Sequence, residues 1–149
     1  KMTLACLVEM GIPSNDLASG ETFNLLSVSD TVGSLLYYGR DIPGTFIASS
    51  DGTNTAKLYT TWGRDDQVLA VVGTDADGLQ FKVGAMNITN AETAITYSAL
   101  TTFTGTFGPT APLRTGLLHD GPVKLGNIEV WEGVASDVDL IKWGIKYYA

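Results

Sequence analysis

The sequence predicts an all-β fold: an antiparallel β-sandwich of jelly-roll type with one short C-terminal helix. Three observations carry that expectation. Runs rich in β-branched and aromatic residues recur at strand length, roughly every 8–12 residues. Gly, Asp, Asn, Ser and Pro punctuate them. A helical hydrophobic period occurs only near the C-terminus.

In order, MTLACLVEM (2–10) is a strand and 11–21 a loop carrying Pro13, Asn15, Asp16 and Gly20. TFNLLSVSD (22–30) and SLLYYGR (34–40) are strands joined through Thr31, Val32 and Gly33. GTFIASS (44–50) and AKLYTTWG (56–63) flank Asp51-Gly52-Thr53-Asn54, and Asp-Gly between apolar runs signals a hairpin. QVLAVVGT (67–74) and LQFKVGAMNI (79–88) flank Asp75-Ala76-Asp77-Gly78 in the same way. TAITYSAL (93–100) leads into a Thr-, Gly- and Pro-rich loop from Thr101 to Pro112. LRTGLLHDG (113–121) and VKLGNIEVWEG (123–133) complete the strands. In the last, Leu125, Ile128 and Val130 face one way if Gly126-Asn127 forms a bulge. Ser136 then N-caps a helix with Asp139 at N3. Val138, Ile141 and Ile145 make its apolar face with Leu140 beside them, and Gly144 with Tyr147-Tyr148 ends it.

The 149 residues form a single domain, 1–149, apolar enough at 44% to bury a core without disulfides. Cys6, the only cysteine, sits inside an apolar strand and reads as a small core residue. KMTLACLVEMG lacks the h-region and cleavage site of a signal peptide, and a start on Lys1 in mid-strand reads as a C-terminal piece of a longer chain. The net charge of −7, with Lys and Arg scattered singly, argues against nucleic acid and anionic membranes, and no run is long enough to insert in a bilayer. Neutral glycans and other proteins remain as partners.

Taken in order, three segments carry a family resemblance. MTLACLVEM resembles the opening strand of concanavalin A-like lectin/glucanase domains, in particular their laminin-G-like branch. QVLAVVGTDADGLQFKVG resembles the central strand pair with its hairpin, and LRTGLLHDGPVKLGNIEVWEGVASDVDLIKWG the closing segment. The likeness covers nearly the whole chain and implies two antiparallel sheets in a jelly roll. Sparse charge, abundant Thr, Gly and Ser, and no disulfide are similar to C-terminal modules of bacteriophage tail fibres and tailspikes. That second likeness implies a trimer on the virion tail, made in the host cytoplasm and otherwise extracellular, with a host cell-surface glycan as partner.

Glucanases on this fold pair two carboxylates along one strand. The nearest match, Glu129-Val130-Trp131-Glu132, has its two glutamates at opposite parity, so they point to opposite faces. QFKVG (80–84) partly echoes a lyase strand, but the accompanying Arg-rich strand and Gln-x-His are missing, and His119 precedes an Asp-Gly turn. One histidine and one cysteine leave little for a triad or a zinc site. No enzyme is therefore expected. No cofactor is expected either, beyond a possible calcium ion. Asp75 and Asp77 are its candidate ligands, with the Asp51/Asn54 and Asp65/Asp66 pairs as further oxygen sources. An EF-hand is excluded, since counting from Asp75 puts Gln80 where glycine is required. Asn87-Ile88-Thr89 matches a glycosylation sequon.

Sugar binding needs exposed aromatics beside carboxylates and amides. Trp62, Tyr37, Tyr38, Arg40 and Asp65 are the candidates. Tyr37 and Tyr38 face opposite sides, so at most one serves a given surface. Trp131 and Trp143 read as packing residues, with Trp143, Tyr147 and Tyr148 as a candidate interface. The expected function is non-catalytic carbohydrate or receptor binding. Structural oligomerisation or capping without a ligand, and accessory glycan binding beside a polysaccharide-degrading enzyme, stay open.

Overall fold

The computed structural model describes residues 1–27, 34–104, 114–115 and 123–148. They build a sandwich of two antiparallel sheets with one α-helix, as the strand spacing predicts. The first sheet contains β1 (Met2–Met10), β6 (Asp66–Thr74), β7 (Gln80–Asn87), β8 (Thr96–Tyr97), β9 (Thr101–Thr102) and β11 (Val123–Glu132). Its order is β11-β1-β6-β7-β8, with β9 also on β7. The second sheet runs β10-β2-β3-β4-β5, from β2 (Thr22–Ser27), β3 (Ser34–Arg40), β4 (Thr45–Ser50), β5 (Thr55–Tyr59) and β10 (Arg114–Thr115).

Alternation along the strands divides the apolar residues between two layers. Leu4, Cys6, Val8 and Met10 of β1, with Val68, Ala70 and Val72 of β6 and Phe81 and Val83 of β7, meet Leu36, Tyr38, Ile47 and Leu58 of the second sheet. Each large side chain buried there contributes about 1.5–3 kcal/mol. Cys6 lies in this core, its thiol pushed up to about 12 by burial, so it is no nucleophile. The opposite side chains of β1 and β6, Ala5, Leu7, Leu69 and Val71, are equally apolar. They are covered by α1 (Asp137–Tyr147), which packs Leu140 and Trp143 onto them.

Both hairpins form where Asp-Gly places them: Ser50 pairs with Thr55 and Thr74 with Phe81. The expected bulge is also present, since Cys6 faces Ile128 while Val8 faces Leu125, leaving Gly126 and Asn127 opposite Leu7. Leu125 and Ile128 pack on the core, whereas Val130 is 54% exposed. The run at 93–100 yields only the two residues of β8. The joins at 31–33, most of the loop from 101 to 112 and most of 113–121 lie outside the described residues.

Ser136 caps the helix as expected, its Oγ accepting from the Asp139 amide at 3.2 Å. The helix face differs from the one expected. Leu140, Trp143 and Gly144 are buried, while Val138 and Ile145 are exposed. Gly144 does not end the helix. It sits within it, because a Cβ there would stand 3.1 Å from Leu69 Cδ2 and hold the helix off the sheet.

Candidate functional site

The second sheet turns a different face outward. The four-residue loop 51–54 sets the β4–β5 register, so Phe46 pairs with Tyr59 and Ala48 with Lys57. On the other side Tyr37 pairs with Ala48 and Gly39 with Phe46. Tyr37, Gly39, Phe46, Ala48, Lys57 and Tyr59 therefore share the face away from the core. Tyr37 and Tyr59 each meet the Phe46 ring edge-on, at 5.9 and 6.2 Å between centroids. Lys57 Nζ lies 4.2 Å from the Phe46 centroid and donates to Asp41 Oδ2 at 2.8 Å. Tyr59 Oη donates to the same oxygen at 2.9 Å. Gly39 is required here: a Cβ would collide with the Glu21 carbonyl oxygen and come within 3.1 Å of the Phe46 ring.

These contacts set the charge states. The bond from Lys57, then that from Tyr59, hold the Asp41 carboxyl below its ordinary value despite some burial. Burial alone would lower Lys57, but its bond to Asp41 and that carboxylate's charge leave it raised. Tyr59 is raised chiefly because its hydroxyl donates to Asp41. The result is an ammonium and a carboxylate fixed between two tyrosines, with Tyr59 47% exposed. A ring face next to an oriented donor and acceptor is the chemistry that covers one side of a pyranose and fixes its hydroxyls.

Among the expected ligand residues, Tyr37 alone belongs to this face. Tyr38 has the opposite parity, is fully buried between Phe23 and Trp62, and has its hydroxyl pushed up to about 12 by burial. Trp62 is only 5% exposed and offers no ring to solvent. It locks the short turn at Ser14–Asp16, donating Nε1–H to the Ile12 carbonyl and its amide to Ser14 Oγ. Arg40 donates to the Leu17 carbonyl at 3.0 Å. Asp65, in the left-handed region at φ 62, lies beside Glu9 and Lys124, away from Tyr37. The sequence missed Asp41, Lys57 and Tyr59. Pairing residues outward from the Asp51–Asn54 hairpin would have found the last two, since that register sets Lys57 beside Ala48 and Tyr59 beside Phe46 on one face.

The calcium candidates have other work. Asp75 Oδ1 accepts from the amides of Leu79 and Gln80, which closes the hairpin. Asp77 is exposed on the same turn, and no third acidic, Cys or His side chain joins the pair among the described residues. Asp51 accepts from the amides of Thr53, Asn54 and Thr104, and Asn54 donates to the Thr102 carbonyl, so this pair ties the β4–β5 loop to the segment after β9. Asp66 accepts from the Gly63 amide and from Asn87 Nδ2. That bond holds the side-chain amide of the sequon asparagine inside the folded domain, with Asn87 only 5% exposed. Glu129 and Glu132 lie in an unbroken register with Ala5 and Met2, on opposite faces. His119 lies outside the described residues.

The expected interface also divides. Trp143 is buried, edge-on to Trp131 at 5.6 Å, and therefore belongs to the fold. Tyr147 packs its ring at a tilt against Trp143, 5.6 Å between centroids, and remains 39% exposed, while Tyr148 follows as the C-cap. Compared with protein-family models, curated proteins and solved structures, the chain matches none.

Proposed function

We propose that this domain is a non-catalytic carbohydrate-binding module whose ligand lies on the outer face of the second sheet, against Tyr37 and Tyr59. The observation that carries the reading is the Lys57–Asp41–Tyr59 cluster, a fixed donor and acceptor beside an exposed ring on a face that no helix covers among the described residues. Because Lys57 is committed to Asp41 and the chain carries −7, the ligand class is neutral glycan. The resemblance of the sequence to phage tail-fibre and tailspike modules makes a host cell-surface glycan the proposed natural partner. The opposite facing of Glu129 and Glu132 supports a binding role over hydrolysis.

A glycan array followed by calorimetry tests this. Tyr59→Ala is expected to abolish binding while leaving the melting temperature nearly unchanged. An array with no neutral glycan bound, or binding that survives Tyr59→Ala, rejects the proposal.

A further inference from the structure

The helix leaves part of the first sheet uncovered. Register places Thr3, Gly73 and Lys82 in one row across β1, β6 and β7, on the outward face. The next row is Ala5, Val71, Gly84 and Tyr97. Leu140 packs with Ala5 and Val71 of this second row, and α1 begins only at Asp137. Above the first row lies a cavity of about 160 Å³, walled by Thr3, Lys82, Tyr97, Val134, Asp137 and Leu140. Gly73 forms part of its floor. A Cβ there would touch nothing closer than Thr3 Oγ1 at 3.9 Å, so the glycine leaves space that a side chain could fill.

The walls are held in place and carry unlike charges that do not meet. Thr3 Oγ1 donates to the Gly133 carbonyl at 2.9 Å and accepts from the Ala135 amide at 3.0 Å, which fixes the segment before the helix. The Tyr97 ring lies against Gly84, where a Cβ would collide with it. Lys82 Nζ stands 3.8 Å from the centroid of that ring, and the Tyr97 hydroxyl donates to Asp137 Oδ1 at 2.7 Å. Burial, then the bond to Asp137, raises this hydroxyl, so it stays protonated as the donor. The tyrosine thus stands between ammonium and carboxylate, and among the described residues Lys82 makes no ion pair.

Both charges are left with capacity for a ligand. Lys82 has ammonium hydrogens to donate, and Asp137 keeps its second oxygen as an acceptor. An anion would face Asp137 and Asp139 of the first helical turn, and a cation would face Lys82. A neutral molecule that both donates and accepts avoids each repulsion, and a hydroxyl does both. Val71, Val134 and Leu140 give the cavity an apolar side suited to ring C–H groups. Its size suits one ring, since a cavity of about 150 Å³ takes a single benzene. We propose that this cavity is a binding site for one neutral pyranose ring, whose hydroxyls accept from Lys82 and donate to Asp137. It lies on the opposite face of the sandwich from Tyr37 and Tyr59 and does not rest on glycan binding there.

Amide NMR titration of the folded chain with free glucose, galactose and mannose tests it. At least one is expected to shift the amides of Gly73, Lys82 and Asp137 saturably, in the millimolar range. Gly73→Leu, which fills the floor, should abolish those shifts while the melting temperature holds or rises. Lys82→Met keeps a stem on the Tyr97 ring but loses the donor, and should weaken binding at least several-fold. Should Gly73→Leu fail to fold, Lys82→Met alone decides. Tyr59→Ala should leave these shifts unchanged, and Gly73→Leu should leave ligand binding at Tyr37 and Tyr59 unchanged, so the two sites fail separately. No saturable shift at this cavity with any of the three sugars overturns the proposal, as does binding indifferent to Lys82→Met. Tighter binding of glucuronate than of glucose overturns the neutral class.

Discussion

The two outward faces of the sandwich begin from similar strand chemistry and end differently. On the first sheet the outward positions of β1 and β6 are Ala5, Leu7, Leu69 and Val71, and a helix covers them. On the second, the corresponding positions of β3, β4 and β5 are Tyr37, Phe46, Lys57 and Tyr59, and the sheet covers itself. Phe46 is 2% exposed beneath Lys57 and its two tyrosines. Purely aliphatic positions have no polar ends to reach water, so they require another element on top. Amphipathic side chains can shield an apolar ring while keeping their own heads wet. One face therefore needs the helix to complete the fold, whereas the other keeps Tyr59 partly exposed.

The largest expected effect that would break this contrast is Trp143→Ala. Removing the ring that anchors α1 should cost about 3–5 kcal/mol in denaturant unfolding, whereas Tyr59→Ala should cost under about 1 kcal/mol. Equal costs would show that the two faces do not divide in this way. Next in size is Gly144→Val, which forces α1 and Leu69 apart and should destabilise by about 1–3 kcal/mol. Thermal melts would read it.

A smaller effect is expected from pH. The folded-state value of Asp41 is lowered, so its contribution is present above the ordinary carboxylate range and is lost as pH falls through the folded value. Lys57 is raised, so its contribution is complete below its ordinary value and is lost as pH rises through the folded one. Asp41→Asn should flatten the acid side of the melting profile and remove the coupling on the alkaline side. The smallest effect is Tyr38→Phe. The Tyr38 hydroxyl is buried with no hydrogen-bond partner among the described residues. Its removal should be neutral or slightly stabilising, within about 1 kcal/mol by chemical denaturation.

Much of this architecture can be read in the sequence wherever the determinant is local. Asp51-Gly52 and Asp75 to Gly78 close the hairpins, Gly126-Asn127 makes the bulge, and Ser136 caps the helix, because each acts on backbone within a few residues. What stayed hidden depends on distant partners. Trp62 looks exposed among Gly63, Arg64 and Asp65, yet its ring donates to the Ile12 carbonyl and its backbone amide to Ser14 Oγ, about fifty positions away in sequence. The helix offers two apolar stripes of similar quality, and only the position of Leu69 selects Leu140 and Trp143 over Val138 and Ile145. The candidate site was half legible. Tyr37 was found from its strand, while Asp41 needed the fold of the β3–β4 turn to reach Lys57.

The pairing of β1 with both β6 and β11 bears on how the chain reaches this state. Strands β2 to β5 form a meander in which each partner follows directly in sequence. In the other sheet Met2 finds Glu132, and Thr3 finds Gly73. Closing loops of that span is slow, and the first sheet has no complete ladder until its last strand arrives. During synthesis the β2–β5 meander, with its tyrosines, is therefore expected to order well before the pairing of β1 with β6 and β11. Pulse-labelled hydrogen exchange should protect the amides of Phe46 to Ser49 ahead of those of Leu4 to Leu7. Simultaneous protection would mean that the two sheets condense as one unit.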